Sequence, residues 1–140
     1  MNVDELVENF AALGDWEERY RYLIELGRAL PSLPDAERTE AHKVRGCMSQ
    51  VWLAAELRPG QPPQLDLRGD SDAHIVKGLI ALLFKLYQGL TPRQVVELDV
   101  RAAFARLGLE NQITMNRRNG FYAMVERIRA LAAAADGAAA

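Results

Sequence analysis

The sequence predicts an α+β domain in which helices pack on one side of a small antiparallel sheet. Segments with helical periodicity come first, two short segments of alternating apolar residues follow, and further helical segments complete the chain. The alternating segments are separated only by the loop Pro59 to Pro63. Because this loop is too short for a crossover helix, the two strands are expected to be antiparallel. A hairpin set among runs of helices is typical of the α+β class.

The composition fits a single domain over residues 1–140. Hydrophobic residues make up 49% of the sequence, which is enough for a core. The net charge of -2 argues against a nucleic-acid-binding protein. The acidic N-terminus does not resemble a signal peptide, and the apolar run from Gly78 to Phe84 is too short to span a bilayer. A lone cysteine suits a reducing compartment. We therefore expect a soluble, unprocessed, cytoplasmic protein that binds no membrane.

Two helices are predicted before the first strand. Apolar residues recur at helical spacing from Leu6 to Leu13, behind Asn2 as the expected N-cap. Asp15 is expected to cap a second helix, which Pro31 ends. The polar, proline-containing segment between Pro31 and Lys43 predicts a loop with one helical turn.

Two strands are predicted next. Residues alternate in polarity from Ser49 to Arg58 and again from Gln64 to Gly69. Because an isolated hairpin is marginally stable, we expect it to pack against helices and to gain a third strand from residues just before Cys47.

The helix after the hairpin is predicted to be central to the fold. Asp70 and Asp72 are the expected N-caps, and Gly89 is the expected C-terminal stop. Two adjoining apolar stripes leave only a narrow band to face water, namely Lys77, Ala81, Lys85 and Gln88.

Three more helices are predicted in the C-terminal part of the chain. The first begins at Thr91-Pro92, and the second spans Arg101 to Leu107 before Gly108. The last helix is expected to be capped by Asn116. Its alanine-rich end, about residues 133–140, is expected to fray.

Cys47 is the candidate nucleophile of the chain. It follows Gly46, on a predicted bend that leads into the first strand. Lys43 and Arg45 flank it, and positive charges of this kind lower the pKa of a thiol and favour the reactive thiolate. The alternative is a small buried hydrophobe, which is the common environment of a free cysteine.

Other residue patterns give little support to further sites. His42 and His74 are the only histidines and lack the spacing of metal ligands, so no bound metal is expected. Either could serve as the base of a Cys-His hydrolase, although we interpret both as surface residues. The absence of a glycine-rich phosphate loop argues against a nucleotide site. Four arginines of the last helix are interpreted as solvated: Arg117, Arg118, Arg127 and Arg129.

Several motifs occur along the chain in the order in which one known family carries them. They are Trp16-Glu17-Glu18-Arg19-Tyr20, Leu23-Ile24-Glu25-Leu26-Gly27, Gly46-Cys47, Ser49-Gln50-Val51-Trp52, Gly69-Asp70-Ser71-Asp72-Ala73, Ile75-Val76-Lys77-Gly78-Leu79-Ile80, Leu90-Thr91-Pro92 and Arg117 to Gly120. In these motifs the chain resembles the SufE family of sulfur-acceptor proteins from iron–sulfur cluster assembly. The resemblance covers nearly the whole chain and implies a SufE/IscU-like α+β fold. Met48 departs from the pattern, since many relatives are expected to have a polar residue there.

The resemblance implies a persulfide relay. A pyridoxal-phosphate-dependent cysteine desulfurase of the SufS or CsdA type would form a persulfide on its own cysteine. Cys47 would take the terminal sulfur, stimulate the desulfurase, and pass the sulfur to a SufBCD-type scaffold. The protein would then be a covalent carrier and activator rather than an enzyme. It would bind no cofactor of its own, because the pyridoxal phosphate belongs to the partner.

The resemblance also implies roles for residues around Cys47. Gly46 would let the cysteine loop swing between an apolar pocket and the surface, and Ser49 would help to shape the loop. Arg117 would assist sulfur transfer or docking through its charge, and Asp70 would help to set how the loop rests. A non-covalent adaptor, with a purely structural Cys47, is the alternative function. In either case we expect a monomer that binds its partner transiently.

Overall fold

The protein is an α+β structure of helices around a two-stranded sheet, as predicted. The computed structural model describes residues 3–47, 49–110 and 112–139. Its elements are α1 (Val3–Ala11), α2 (Trp16–Ala29), β1 (Val51–Arg58), β2 (Gln64–Ser71), α3 (His74–Tyr87), α4 (Pro92–Glu97), α5 (Val100–Arg106) and α6 (Met115–Ala139), with a 3₁₀ turn at Asp35–Glu37. In the described ranges, no helix combines the length and the hydropathy needed to cross a lipid bilayer.

The sheet is the predicted antiparallel hairpin. Val51 lies opposite Ser71 at one end. The expected third strand is present only as a single bridge between Lys43 and Trp52, next to a hydrogen bond of 2.8 Å from Val44 N to the Val51 carbonyl oxygen. The chain before Cys47 is therefore tied to the edge of β1, although it does not extend the sheet.

The two faces of the hairpin have different coverings. On one face, a Cβ added to Gly69 would lie 3.1 Å from Phe84 Cζ and 3.2 Å from Ile80 Cγ2, so α3 packs directly on the strand backbone. On the other face, the loop before Cys47 covers the sheet through polar contacts, including an ion pair of 2.7 Å between Arg68 and Glu37. Helices therefore pack on one side of the sheet, as predicted.

Helix α3 is the centre of the core and packs against α2, α6 and β2. Its contact with α2 is close enough to require glycines, because a Cβ on Gly27 would lie 2.7 Å from Gly78 N. The prediction that Ala81 faces water is wrong, since Ala81 is buried. Ala81 lies one turn after Gly78, on the side of α3 that α2 covers.

Several predicted helix ends are confirmed. The Asp15 side chain accepts a hydrogen bond of 2.9 Å from the backbone N–H three residues later. Thr91 forms a capping box with Gln94. Gly89 and Gly108 have positive φ angles of 78° and 74° at the ends of α3 and α5. The predicted cap Asn2 lies outside the described residues.

The predicted cap of α3 is wrong. The N-cap of this helix is Ala73, with no side-chain hydrogen bond. Asp70 belongs to β2, and Asp72 Oδ1 accepts a hydrogen bond of 3.0 Å from Gln50 N. Both carboxylates are therefore used in contacts with distant segments of the chain, which local sequence pattern does not reveal.

The predicted cap of α6 is also wrong. The helix begins at Met115, and Thr114 Oγ1 accepts a hydrogen bond of 3.3 Å from Arg117 N. Asn116 therefore lies inside the first turn. The helix continues through Ala139, and the fraying of its alanine-rich end in solution stays a prediction.

Candidate functional site

Cys47 lies on a bend between the edge of β1 and helix α6. Gly46 adopts a φ of 87°, a left-handed conformation that glycine accepts without the strain of a Cβ atom. The Cys47 side chain is half-buried, and its thiol donates a weak hydrogen bond of 3.5 Å to the Gly120 carbonyl oxygen. The backbone therefore turns the thiol inward, toward α6.

A cavity of about 300 Å³ adjoins the Cys47 thiol. Four apolar side chains line it, from α3 and α6: Val76, Leu79, Phe121 and Met124. Ser49 and Arg117 add polar groups to the lining. Gly120 leaves room beside the sulfur, because a Cβ at this position would lie 3.5 Å from Cys47 Sγ. The thiol therefore faces a largely apolar space with a cationic group in its lining.

The predicted lowering of the thiol pKa is wrong. Burial raises the pKa of Cys47 above its ordinary value. The two flanking cations are directed to Glu40, with Arg45 Nη2 at 3.0 Å and Lys43 Nζ at 4.0 Å from its carboxylate oxygens. Their charges are thus paired with a carboxylate, and desolvation dominates at the sulfur.

Asp70 lies away from the cavity and anchors the loop before Cys47. Its buried carboxylate accepts hydrogen bonds from Leu33 N at 3.0 Å, Ser71 N at 2.8 Å and the Arg38 guanidinium at 2.6 Å. Lys77 Nζ lies 3.3 Å from the same carboxylate. Burial alone would raise the pKa of Asp70, but these hydrogen bonds and charges outweigh it and hold the pKa below its usual range.

The structure brings together some of the predicted site residues and separates others. Cys47, Ser49 and Arg117 share the cavity, and Gly46 precedes the thiol. Arg117 is exposed, and within the described ranges its guanidinium has no ion-pair partner. Asp70 does not line the cavity. The departure from the family pattern at Met48 lies outside the described residues.

The histidines give no support to a Cys-His hydrolase. His42 is half-buried rather than solvated, and its Nδ1 contacts the Glu37 carbonyl oxygen at 2.8 Å. His74 is exposed in the first turn of α3, as predicted. Among the described residues, neither ring hydrogen-bonds the Cys47 thiol, whose partner is the Gly120 carbonyl group. The same residues contain no group of three or more potential metal ligands.

Sequence reasoning missed one residue that contacts the thiol, and it misjudged two arginines that lie outside the cavity. Gly120 accepts the thiol hydrogen bond, and its signal is a glycine inside a long helical pattern. Arg127 and Arg129 are not fully solvated, because each is partly buried and donates to a backbone carbonyl oxygen. Arg127 Nη2 lies 2.6 Å from the Ala41 oxygen, and Arg129 Nη2 lies 3.2 Å from the Leu98 oxygen.

Comparisons with known proteins agree on one family. The SufE model, described as an Fe-S metabolism associated domain, matches residues 4–132. An uncharacterized SufE-like protein of Rhizobium etli is 45% identical over 130 residues, which cover 91% of this chain and 87% of that protein. The solution structure of a hypothetical protein from Thermus thermophilus matches with a TM-score of 0.77 at 25% identity, covering 95% of this chain and 94% of that one. The chain therefore belongs to the SufE family of proteins associated with iron–sulfur metabolism.

Proposed function

We propose that Cys47 accepts sulfur from the persulfide of a pyridoxal-phosphate-dependent cysteine desulfurase of the SufS or CsdA type. In doing so it stimulates the desulfurase, and it later passes the sulfur to a SufBCD-type scaffold. Family membership associates the protein with iron–sulfur metabolism. The observation that carries the finer proposal is the position of the sole cysteine of the sequence, on a glycine bend beside a cavity with space for an added sulfur atom.

The transfer follows the chemistry of thiol–disulfide exchange. The Cys47 thiolate attacks the terminal sulfur of the donor persulfide, a new S–S bond forms on Cys47, and the S–S bond of the donor breaks. The donor cysteine leaves as a thiolate and takes up the proton that Cys47 has lost. The sulfur carries its oxidation state with it, so no external oxidant or reductant takes part.

The resting environment suits storage better than attack. Burial keeps Cys47 in the thiol form at neutral pH, and the thiol is a poor nucleophile. Attack therefore requires the sulfur to leave the cavity or to gain a cationic neighbour on docking. After transfer, the apolar walls limit the access of oxidants and reductants to the persulfide. Arg117, in the same lining, offers a guanidinium to a persulfide anion.

The alternative is a non-covalent adaptor with a structural Cys47, which the half-buried thiol and its raised pKa favour. Replacing Cys47 with Ser separates the two functions. A carrier loses its stimulation of desulfurase turnover in the variant, since the hydroxyl accepts no sulfur, whereas an adaptor keeps it. Alanine production by the desulfurase is the measurement, with circular dichroism to check folding.

Ser49→Ala is the matched control for this experiment. Ser49 lines the same cavity, so its substitution perturbs the site but leaves the thiol in place. We expect Ser49→Ala to retain most of the stimulation. Equal stimulation by the Cys47→Ser protein would contradict the carrier proposal.

A further inference from the structure

The inward position of the Cys47 sulfur raises the question of which residues move when a partner reaches it. The thiol points to the Gly120 carbonyl group of α6 and to the cavity between α3 and α6. A cysteine of another protein must come within bonding distance of this sulfur. Part of the chain around Cys47 therefore has to move outward. The contacts of the residues on either side of Cys47 show which part is held in place.

The chain is fixed on both sides of Cys47. Before it, Leu53 N donates to the His42 carbonyl oxygen at 2.9 Å, and Val44 is buried in the core. After it, the Gln50 carbonyl oxygen accepts from Ser71 Oγ at 2.7 Å. Both attachments lead to the hairpin, which is the rigid part of the site.

The described residues between these attachments, Arg45 to Cys47 and Ser49, are held much more weakly. Across the described ranges, no backbone hydrogen bond joins Arg45, Gly46, Cys47 or Ser49 to the rest of the chain. The contact of 3.5 Å between the thiol and the Gly120 carbonyl oxygen is weak, because S–H is a weak hydrogen-bond donor. The movable part of the loop is therefore short and begins directly after Val44.

Helix α6 holds this segment along one face. Cys47 meets Gly120, and a Cβ on Gly46 would lie 3.4 Å from Ala123 Cβ. One turn further along the helix, Arg127 donates its 2.6 Å hydrogen bond to the Ala41 carbonyl oxygen. Positions separated by three and four residues lie on the same side of a helix. The chain from Ala41 to Cys47 thus runs along α6, and the shortest of these contacts is the hydrogen bond of Arg127 to Ala41, before the movable part.

The hydrogen bond from Arg127 to Ala41 also affects the weakly held residues, because Glu40 lies next to Ala41. Glu40 is the carboxylate that pairs with Arg45, the first residue of the weakly held part. Because Glu40 adjoins Ala41, a hydrogen bond that holds Ala41 in place also holds the carboxylate that pairs with Arg45. The Arg127 guanidinium is well placed for this role, because its Nε is buried and its Nη2 is directed to the loop.

We propose that Arg127 is a positioning residue. Through Ala41 it holds the chain that precedes the weakly held residues on α6, and it thereby keeps the thiol in its cavity until a partner docks. The proposal rests on the sulfur-carrier function, in which early exposure of the sulfur is harmful. Arg127 has no contact with the sulfur itself, and it acts through Ala41 and Glu40. Its removal opens the loop in the free protein.

The test is the rate of alkylation of Cys47 by iodoacetamide in the free protein, measured by mass spectrometry across a range of pH. Arg127→Gln keeps two of the three methylene groups and loses the guanidinium and its reach. We expect its alkylation to be about tenfold faster, because loss of a hydrogen bond from a charged donor weakens the closed state by roughly that factor. The midpoint of its pH profile should shift down, since an exposed thiol ionises more easily.

Two further variants separate positioning from general loosening. Arg127→Lys keeps a cationic donor and should restore much of the native rate. Arg129→Gln removes a comparable hydrogen bond, from α6 to the Leu98 carbonyl oxygen, and should leave alkylation unchanged even if the protein melts at a lower temperature. A native rate in Arg127→Gln, or equal acceleration in Arg129→Gln, would overturn the proposal. No desulfurase is present in this assay, so its outcome is independent of whether Cys47 accepts sulfur.

Discussion

At the level of single residues, the environment of Cys47 makes it a protected thiol rather than a permanently activated one. The sulfur is half-buried and faces apolar side chains, and its pKa is raised. Reactive cysteines are commonly activated by nearby cations. Here the adjacent cations pair with Glu40, so they do not activate the thiol in the free protein.

The pH dependence of thiol reactivity tests this environment. The rate of iodoacetamide alkylation should rise with pH and reach its midpoint above that of the same cysteine in the urea-unfolded protein, because burial disfavours the thiolate. Lys43→Gln should leave the midpoint nearly unchanged, since the charge of Lys43 is directed to Glu40. A native midpoint at or below the unfolded one would contradict the structure.

The position of Cys47 can be predicted from the sequence, but its electrostatics cannot. A glycine before the cysteine and an alternating pattern after it indicate a bend at the start of a strand, as observed. The direction of the pKa shift depends on Glu40 folding back onto Lys43 and Arg45 and on α6 covering the thiol. Both depend on how the chain folds, which local sequence pattern does not show.

At the level of elements, Asp70 joins the loop before Cys47 to the hairpin and to α3. Its carboxylate has lost most of its water and is compensated by two backbone N–H groups and two cations, Arg38 and Lys77. Removing one member of such a cluster leaves the others without partners in a poorly solvated site. The contacts of Asp70 therefore hold the loop before Cys47 against one face of the sheet.

The Asp70→Asn variant tests the strength of this attachment. We expect a loss of about 2–3 kcal/mol in the free energy of unfolding at pH 7, since charged hydrogen bonds are lost and Arg38 and Lys77 keep part of their solvent. Urea denaturation measures the loss. Asp72→Asn is the matched control, because Asp72 is exposed and accepts from Gln50 N, and it should cost clearly less.

The native protein and the Asp70→Asn variant should also differ in how their stability depends on pH, and the sign of the difference is definite. The folded pKa of Asp70 lies below that of an unfolded aspartate, about 3.9. Its contribution is therefore complete above that value and is lost as the pH falls through the folded pKa. The native protein should lose stability over this acidic range more steeply than Asp70→Asn. Parallel profiles would contradict an ionised Asp70 in the folded state.

Helix boundaries show where local pattern is sufficient and where it fails. Four predicted helix boundaries are confirmed, because they depend on groups within a few residues along the chain. They are the starts at Asp15 and Thr91 and the ends at Gly89 and Gly108. Asp70, a predicted cap of α3, instead binds groups more than thirty residues away, including Leu33. An aspartate before a helix has several possible partners, and distant segments decide between them.

At the level of the whole molecule, the fold is predictable from the sequence and the cavity is not. Apolar periodicity and a short hairpin loop are sufficient for the α+β class, because they depend on local sequence. The cavity is formed where three separate parts of the chain meet, at Cys47 and Ser49, at Val76 and Leu79, and at Thr114 and the first turns of α6 as far as Met124. Its existence depends on the packing of α3 against α6, which periodicity alone does not specify.

Intact-mass spectrometry shows directly whether Cys47 carries sulfur covalently. The protein is incubated with a pyridoxal-phosphate-dependent cysteine desulfurase and cysteine, and its mass is measured before and after treatment with a reductant. Because the sequence contains a single cysteine, a reducible gain of one sulfur atom is assigned to Cys47. We predict this gain for the native protein and none for Cys47→Ser. Stimulated desulfurase turnover without any gain in mass on the native protein would contradict the carrier function.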